Sequence, residues 1–249
     1  MSPAWIAAAG LIGLSTGPLQ RAVAFASSVP SGQPWRRSCP ACGYGLTGDR
    51  RPLRTAAWVT GRCPQCRSRI GLRTLVPELV TATALAVLAA RASSVPELAA
   101  LALLAAGAIT LAFVDAAVHR LPDRITLPLG AAVIGLLAIA AATSGQWGGL
   151  LRAVLAAAAL AAFYLALLIA MPSGTGPGDV KFAVPLGAML GWYGWGVLIT
   201  GTVSTFLLAG VYALALLISH RASAKDSFAF GPFMAAGAVA AIIAASVGS

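Results

Sequence analysis

Apolar runs long enough to cross a lipid bilayer recur along almost the whole of this 249-residue chain. A membrane-spanning helix needs about 20 mostly apolar residues. Charged residues make up only 10% of the chain, and its mean hydropathy is +0.85. A water-soluble domain would need far more polar surface. We therefore predict an all-α polytopic membrane protein that is embedded in a lipid bilayer.

The lengths of the apolar runs predict about eight transmembrane helices. The spans are expected near residues 3–29, 77–90, 98–114, 125–142, 150–171, 182–192, 195–219 and 228–247. The sixth run is short and contains Pro185, Gly187 and Gly191, which is typical of a kinked or tilted helix. The polar residues 115–124 and the Gly/Pro-rich residues 172–181 are predicted to be loops.

The chain carries 17 basic and 7 acidic residues, and the basic residues are unevenly placed. With eight spans, 14 of the 17 fall in loops on one side: Arg36, Arg37, Arg50, Arg51, Arg54, Arg62, Arg67, Arg69, Arg73, Arg120, Arg124, Lys181, Arg221 and Lys225. Short basic loops mark the cytoplasmic side of membrane proteins. This pattern explains the net charge of +10 better than nucleic-acid binding does, and we expect no nucleic-acid partner.

A polar segment at residues 31–75 separates a first span, residues 1–30, from a transmembrane domain, residues 76–249. The segment contains all four cysteines of the chain: Cys39, Cys42, Cys63 and Cys66. Two C-x-x-C pairs separated by 20 residues predict a zinc-ribbon-like loop with a closed, structural zinc site. Disulfides and redox-active pairs are the alternatives. A reducing cytoplasm disfavours the first, and a redox pair normally sits in a larger unit.

Asp115 and Asp179 are two of only seven acidic residues, and each follows the end of a long apolar run. Carboxylates at membrane spans are costly and usually functional. The eight-span arrangement places both at the cytoplasmic face, where they could share acid/base chemistry of the aspartic-protease kind. Alternatively, Asp115 caps a span or pairs with Arg120 or Arg124. If the helix continued past Asp115, His119 and Asp123 would share its face.

Asp179 lies in a stretch that reads Gly-Thr-Gly-Pro-Gly-Asp-Val-Lys, residues 174–181. Such a stretch can be a simple turn between two spans. Glycines also let a backbone approach another chain closely, so the carboxylate could face an extended substrate. Lys181 could favour the ionised form of a nearby acid, or it could anchor the helix at the membrane edge.

Four stretches of this chain resemble the type IV prepilin peptidases, membrane aspartic proteases with a GxGD motif. They are the cysteine loop followed by Pro77-Glu78, the VDAAVHRLPDRITLPL stretch around Asp115, the GPGDVKF stretch and the FAFGPFMAAGA stretch. GPGDVKF matches G-x-G-D-x-K through Gly176, Gly178, Asp179 and Lys181. Before the cysteines, the chain keeps little of the family's pattern beyond Arg21.

The resemblance implies a bacterial inner-membrane enzyme with Asp115 and Asp179 as its catalytic pair. Such enzymes cut the basic leader from prepilins and pseudopilins at the cytoplasmic face, typically after a glycine. Many also methylate the new N-terminus with S-adenosylmethionine. Gly176, Gly178 and Lys181 are then expected to shape the loop or bind substrate. A transporter with carboxylates at its span ends and a non-catalytic zinc-loop scaffold are the alternative hypotheses.

Overall fold

The computed structural model describes residues 3–30, 32–46, 55–171, 175–219 and 229–245. Their helices are α1 (Pro3–Ser27), α2 (Thr55–Thr60), α3 (Val76–Ala89), α4 (Val95–Val118), α5 (Asp123–Ser144), α6 (Trp147–Ala170), α7 (Pro177–Tyr193), α8 (Trp195–Ile218) and α9 (Gly231–Ala244). Within these residues the only β-structure is two isolated bridges, which lie in the polar segment that connects α1 to α3. The predicted all-α fold is therefore confirmed.

Four of the described helices are long and apolar enough to cross a membrane: α4, α5, α6 and α8. Helices α3 and α9 are also apolar but shorter, at 14 residues each. Large apolar side chains are exposed on the long helices, for example Ile169 on α6 and Ile199 and Val211 on α8. Lipid contact accounts for so much exposed apolar surface, as expected for a multi-pass membrane protein.

Helix α7 lies at the centre of the fold and packs against α4, α5, α6, α8 and α9. The short sixth run was the least regular of the predicted spans, yet its small residues explain its central position. A Cβ atom on Gly187 would lie 2.8 Å from the Ala156 carbonyl oxygen, and one on Gly191 would lie 2.2 Å from the Ala156 Cβ. These two glycines, four residues apart, let α6 and α7 pack closely.

The boundaries of two predicted loops were wrong. Residues 115–124 were expected to form a loop, but α4 continues to Val118 and carries Asp115 in its last turn. His119 then ends the helix in the left-handed conformation, so a continued helix that carries His119 and Asp123 on one face is also wrong. Residues 172–181 were also expected to form a loop, but α7 already starts at Pro177, because proline suits the first helical position. Asp179 therefore belongs to α7.

A buried ion pair joins α1 to α3. The guanidinium of Arg21 contacts the carboxylate of Glu78, and both side chains are almost fully buried. Gly17 leaves room for the acid, because a Cβ atom there would lie 2.2 Å from the Glu78 Cγ. Arg21 Nε also donates to the Trp58 carbonyl oxygen at 3.0 Å. One buried arginine therefore holds the polar segment against the membrane helices.

The polar segment has a small core of its own. Phe25, Leu46, Trp58 and Ile70 are buried together with Cys39 and Cys63. The Phe25 and Trp58 rings lie 5.7 Å apart, so this core is continuous with the end of α1. Several predicted basic positions and both ends of the predicted eighth span lie outside the described residues: Arg50, Arg51, Arg54, Arg221, Lys225 and residues 228, 246 and 247.

Candidate active site and metal centre

The two aspartates singled out in the sequence lie at the same end of the helix bundle. Asp115 is in the last turn of α4, Asp179 is in the first turn of α7, and their residues are only 5% and 7% exposed. They are close enough for the charge of Asp115 to act on Asp179. The fold thus brings together two buried carboxylates that are 64 positions apart in sequence (179 minus 115).

Asp115 is held by the start of α9. The backbone N–H of Gly231 donates to Oδ2 of Asp115 at 2.8 Å. A Cβ atom at position 231 would lie 2.9 Å from that same oxygen, so only glycine lets the backbone approach this closely. Among the described residues, neither Arg120 nor Arg124 forms an ion pair with Asp115: Arg120 Nη1 donates to the Val29 carbonyl oxygen at 3.1 Å instead.

Asp179 is held by its own motif. The backbone N–H of Gly176 donates to Oδ2 of Asp179 at 2.8 Å, which satisfies an unpaired amide at the helix N-terminus. Gly178 has a different role, because a Cβ atom there would lie 2.9 Å from the Cβ of Leu121. Leu121 belongs to the connection that follows Asp115. Gly178 therefore lets the start of α7 pack directly against Leu121, in the connection between α4 and α5.

Lys181 forms an ion pair with Asp123 and not with Asp179. Its Nζ lies 2.7 Å from both carboxylate oxygens of Asp123, and the two side chains are 38% and 55% exposed. The pair links the start of α5 to the start of α7. Asp123, which sequence reasoning placed on the Asp115 face, thus acts as the partner of the motif lysine.

A cluster of aromatic side chains lies near the two carboxylates. The Phe230 ring lies 6.1 Å from that of Tyr164 and 5.4 Å from that of Phe206. Tyr164 is 2% exposed and near enough to Asp179 to interact electrostatically with it. The FAFGPF stretch was recognised in the sequence, but the contact of its glycine with Asp115 was not predicted. No sequence signal pointed to Tyr164, an ordinary position in an apolar run.

Two neighbouring carboxylates that are shielded from bulk water cannot both ionise easily, so they tend to share a proton. Such a pair can act as general base and general acid at once. The amides of Gly176 and Gly231 fix one oxygen of each carboxylate at the start of a helix. This end of the bundle is therefore suited chemically to acid/base catalysis.

The four cysteine sulfurs lie within 4.8 Å of one another and could hold a metal ion. The Sγ atoms of Cys39 and Cys66 are 3.8 Å apart, and those of Cys42 and Cys63 are 3.6 Å apart. Four sulfurs at about 2.3 Å from a tetrahedral zinc ion would be about 3.8 Å apart. The donor set and its spacing therefore fit a closed tetrahedral metal site.

The two cysteine pairs form similar turns. In each, the residue after the second cysteine is left-handed, Gly43 with φ 72° and Arg67 with φ 57°, and its N–H donates to the carbonyl oxygen of the first cysteine. Hydrogen bonding by Ser68 lowers the pKa of the Cys39 thiol to about 6, whereas desolvation and the neighbouring thiols raise the pKa of Cys42 to about 12. A bound cation would offset the electrostatic repulsion between neighbouring sulfurs and so favour four thiolates.

Comparison with known proteins identifies the family of this chain. Residues 102–218 match the type IV leader peptidase family, and residues 12–92 match the bacterial peptidase A24 N-terminal domain. A prepilin leader peptidase/N-methyltransferase of Aeromonas hydrophila is 35% identical over 211 residues, which cover 80% of this chain and 68% of the relative. The chain therefore belongs to the type IV leader peptidase family.

Other relatives carry the same name. The protein of Aeromonas salmonicida strain A449 is 31% identical over 208 residues, covering 80% of this chain and 68% of the relative. The protein of Burkholderia pseudomallei strain K96243 is 32% identical over 214 residues, which cover 83% of this chain and 66% of the relative. No solved structure matches the chain significantly.

Proposed function

We propose that this protein is an aspartic endopeptidase of the bacterial inner membrane that removes the leader peptide from type IV prepilins or pseudopilins. The observation that carries the proposal is the pair of buried carboxylates, Asp115 and Asp179, at one end of the bundle. Family membership supports the substrate class, because the relatives are named for prepilin leader peptides.

In the proposed reaction, one aspartate is ionised and the other is protonated. The ionised carboxylate takes a proton from a water molecule, whose oxygen attacks the carbonyl carbon of the scissile peptide bond. The protonated carboxylic acid donates its proton to the carbonyl oxygen. Collapse of the tetrahedral intermediate then breaks the C–N bond: the second aspartate takes back a proton from a hydroxyl group of the intermediate, and the first aspartate gives its proton to the leaving amine. No acyl-enzyme forms.

We place this site at the cytoplasmic membrane face. The Asp115 end of the bundle also carries the basic polar segment, since Arg120 of the α4–α5 connection bonds to Val29 at the end of α1. Basic loops favour the cytoplasmic side. In this arrangement residues 1–30 form a first span, residues 31–75 a cytoplasmic metal-binding loop, and residues 76–249 the peptidase domain.

We propose that Cys39, Cys42, Cys63 and Cys66 bind a structural zinc ion. A site closed by four sulfurs leaves no open position for catalysis, and a segment with so small a core gains much of its stability from a bound metal. The buried Arg21–Glu78 pair would then transmit the order of this loop to α1 and α3.

Methylation of the newly exposed N-terminus by S-adenosylmethionine is part of the proposal, since the relatives are named as N-methyltransferases. The test is mass spectrometry of the cleaved product after incubation with S-adenosylmethionine. One added methyl group on the N-terminal residue supports methylation. A cleaved but unmethylated product contradicts it and leaves the peptidase proposal intact.

The position of the carboxylates disfavours a transporter. Transport carboxylates tend to lie near the middle of the membrane at broken helices. Asp115 and Asp179 lie instead in the last turn of α4 and the first turn of α7, at one end of the helix bundle.

The function is tested by co-expressing a prepilin with the wild type, Asp115→Asn or Asp179→Asn at matched membrane levels. We expect the wild type to release the leader and both variants to leave the prepilin uncut. Cleavage by both variants at the wild-type rate would show that neither aspartate is needed and would contradict the two-aspartate mechanism. Failure of the wild type on several prepilins and pseudopilins would contradict the substrate class.

A further inference from the structure

An apolar groove opens on the side of the helix bundle between α3, α4 and α9. It encloses a volume of about 570 Å³. A second cavity of about 440 Å³ shares the residues Val80, Ala84, Val239 and Ile243 with it, so the two are continuous. We call the larger cavity the lateral groove. Among the described residues, those that line it are all apolar, as suits a surface within the bilayer.

One end of the lateral groove lies next to the candidate active site. On α4 the lining residues run from Leu101 to Phe113, and the 11 residue steps from Leu101 to Ala112 extend over about 17 Å. Asp115 follows Ala112 by three residues and therefore lies on the same face, one turn further on. On α9 the wall begins at Pro232, directly after the Gly231 that binds Asp115.

The walls of the lateral groove are suited to a helix. Alanine is the commonest residue in the walls that α4 and α9 supply, which include Ala105, Ala108, Ala112, Ala235 and Ala236. Small side chains let two helix backbones approach closely in lipid, where packing rather than hydrophobic burial drives association. A length of about 17 Å matches roughly three helical turns.

We propose that the lateral groove binds the apolar helix of the substrate and delivers the peptide bond at its end to Asp115 and Asp179. This assignment rests on the proposed peptidase function. A peptidase whose substrate is anchored in the bilayer must admit an apolar segment from the side, and this groove ends within one helical turn of Asp115. A basic leader that precedes the helix would then extend past the aspartates into water.

A different cavity of similar volume, about 550 Å³, lies between α6 and α8 and provides a comparison. Ala159 lines that cavity, Ala236 lines the lateral groove, and Ala158 lies on the exposed surface outside both. All three are exposed alanines on apolar helices, so they are matched positions for a photoreactive side chain.

The test is photocrosslinking in membranes. A benzophenone amino acid replaces Ala236, Ala158 or Ala159 in the full chain carrying Asp179→Asn, co-expressed with a prepilin. We expect the prepilin adduct at position 236 to be at least tenfold stronger than at 158 or 159. Equal adducts at the three positions, a stronger adduct at 159, or only lipid adducts or a second copy of this chain at 236 would overturn the assignment.

A second measurement separates the groove from the proposed function. The wild type, Ala236→Trp and Ala158→Trp are compared for cleavage of the same prepilin at equal membrane levels. We expect Ala236→Trp to raise KM about tenfold with little change in kcat, and Ala158→Trp to match the wild type. Equal cleavage by all three proteins would contradict the assignment of the groove and leave the peptidase function standing. Absence of cleavage by the wild type would contradict the peptidase function itself.

Discussion

The backbone N–H of Gly231 donates to the carboxylate of Asp115 at 2.8 Å, although the two residues are 116 positions apart in sequence. The last described helix thus begins against a side chain in the last turn of α4. This contact and the matching one from Gly176 to Asp179 give each carboxylate a helix N-terminus as its partner. The site is therefore assembled by the packing of α4, α7 and α9.

Replacing Gly231 by alanine should displace the Asp115 carboxylate, because the new Cβ would lie 2.9 Å from Oδ2 and 3.4 Å from Cγ. We expect prepilin cleavage to fall at least tenfold while the protein stays in the membrane at its normal level. The matched control is Gly210→Ala, since nothing lies within 4 Å of a Cβ atom at that position. Equal cleavage by the two variants would show that the approach of Gly231 does not matter.

Replacing Gly191 by alanine should loosen the contact between α6 and α7. The added Cβ would meet the Cβ of Ala156 at 2.2 Å and the Arg152 carbonyl oxygen at 3.0 Å. Overpacking of this kind costs about 1–3 kcal/mol. Thermal unfolding of the purified protein in detergent measures the loss, with the open position Gly135→Ala as control. A Gly191→Ala protein as stable as the control would refute the close packing.

The buried and the exposed ion pairs should differ in their contribution to stability. Glu78→Gln leaves the Arg21 guanidinium buried without a counter-charge, which costs about 3–5 kcal/mol. Lys181→Gln breaks an exposed pair, whose contribution is about 0–1 kcal/mol. We expect only the first variant to unfold at a clearly lower temperature in detergent. Similar unfolding temperatures for both would contradict the anchoring role of Arg21.

Removing the metal should unfold the polar segment and leave the membrane helices folded. The purified protein is expected to contain one zinc ion per chain by elemental analysis, and Cys42→Ser to contain none. After chelation, the arginine-rich segment should become sensitive to trypsin, and added zinc should restore its protection. A segment that resists trypsin equally with and without metal would show that zinc is not structural.

The fold could be predicted from the sequence because bilayer thickness fixes the length of an apolar run. The structure contains a helix at each of the eight predicted spans and confirms the all-α fold, with some boundaries shifted. The ends of α4 and α7 were misjudged for local reasons. Helix α4 continues past a charged residue because Gly231 supplies a partner for Asp115, and Pro177 starts α7 early.

The candidate site was predicted less completely than the fold. The sequence singled out Asp115, Asp179, Gly176, Gly178 and Lys181, and their roles stay predictions. The contacts from Gly231, Tyr164 and Asp123 depend on which helices pack together, and helical periodicity carries no information about that pairing. For the same reason, the lateral groove had no signal in the apolar runs that form its walls.

The most direct test of the two-aspartate mechanism is the cleavage rate of the purified enzyme with one or both aspartates changed. Residues that act as a unit are not additive. We therefore expect Asp115→Asn and Asp179→Asn each to reduce kcat by about a thousandfold or more, and the double variant to be no slower than either. Near-wild-type cleavage by one single variant, or losses that multiply in the double variant, would contradict the mechanism.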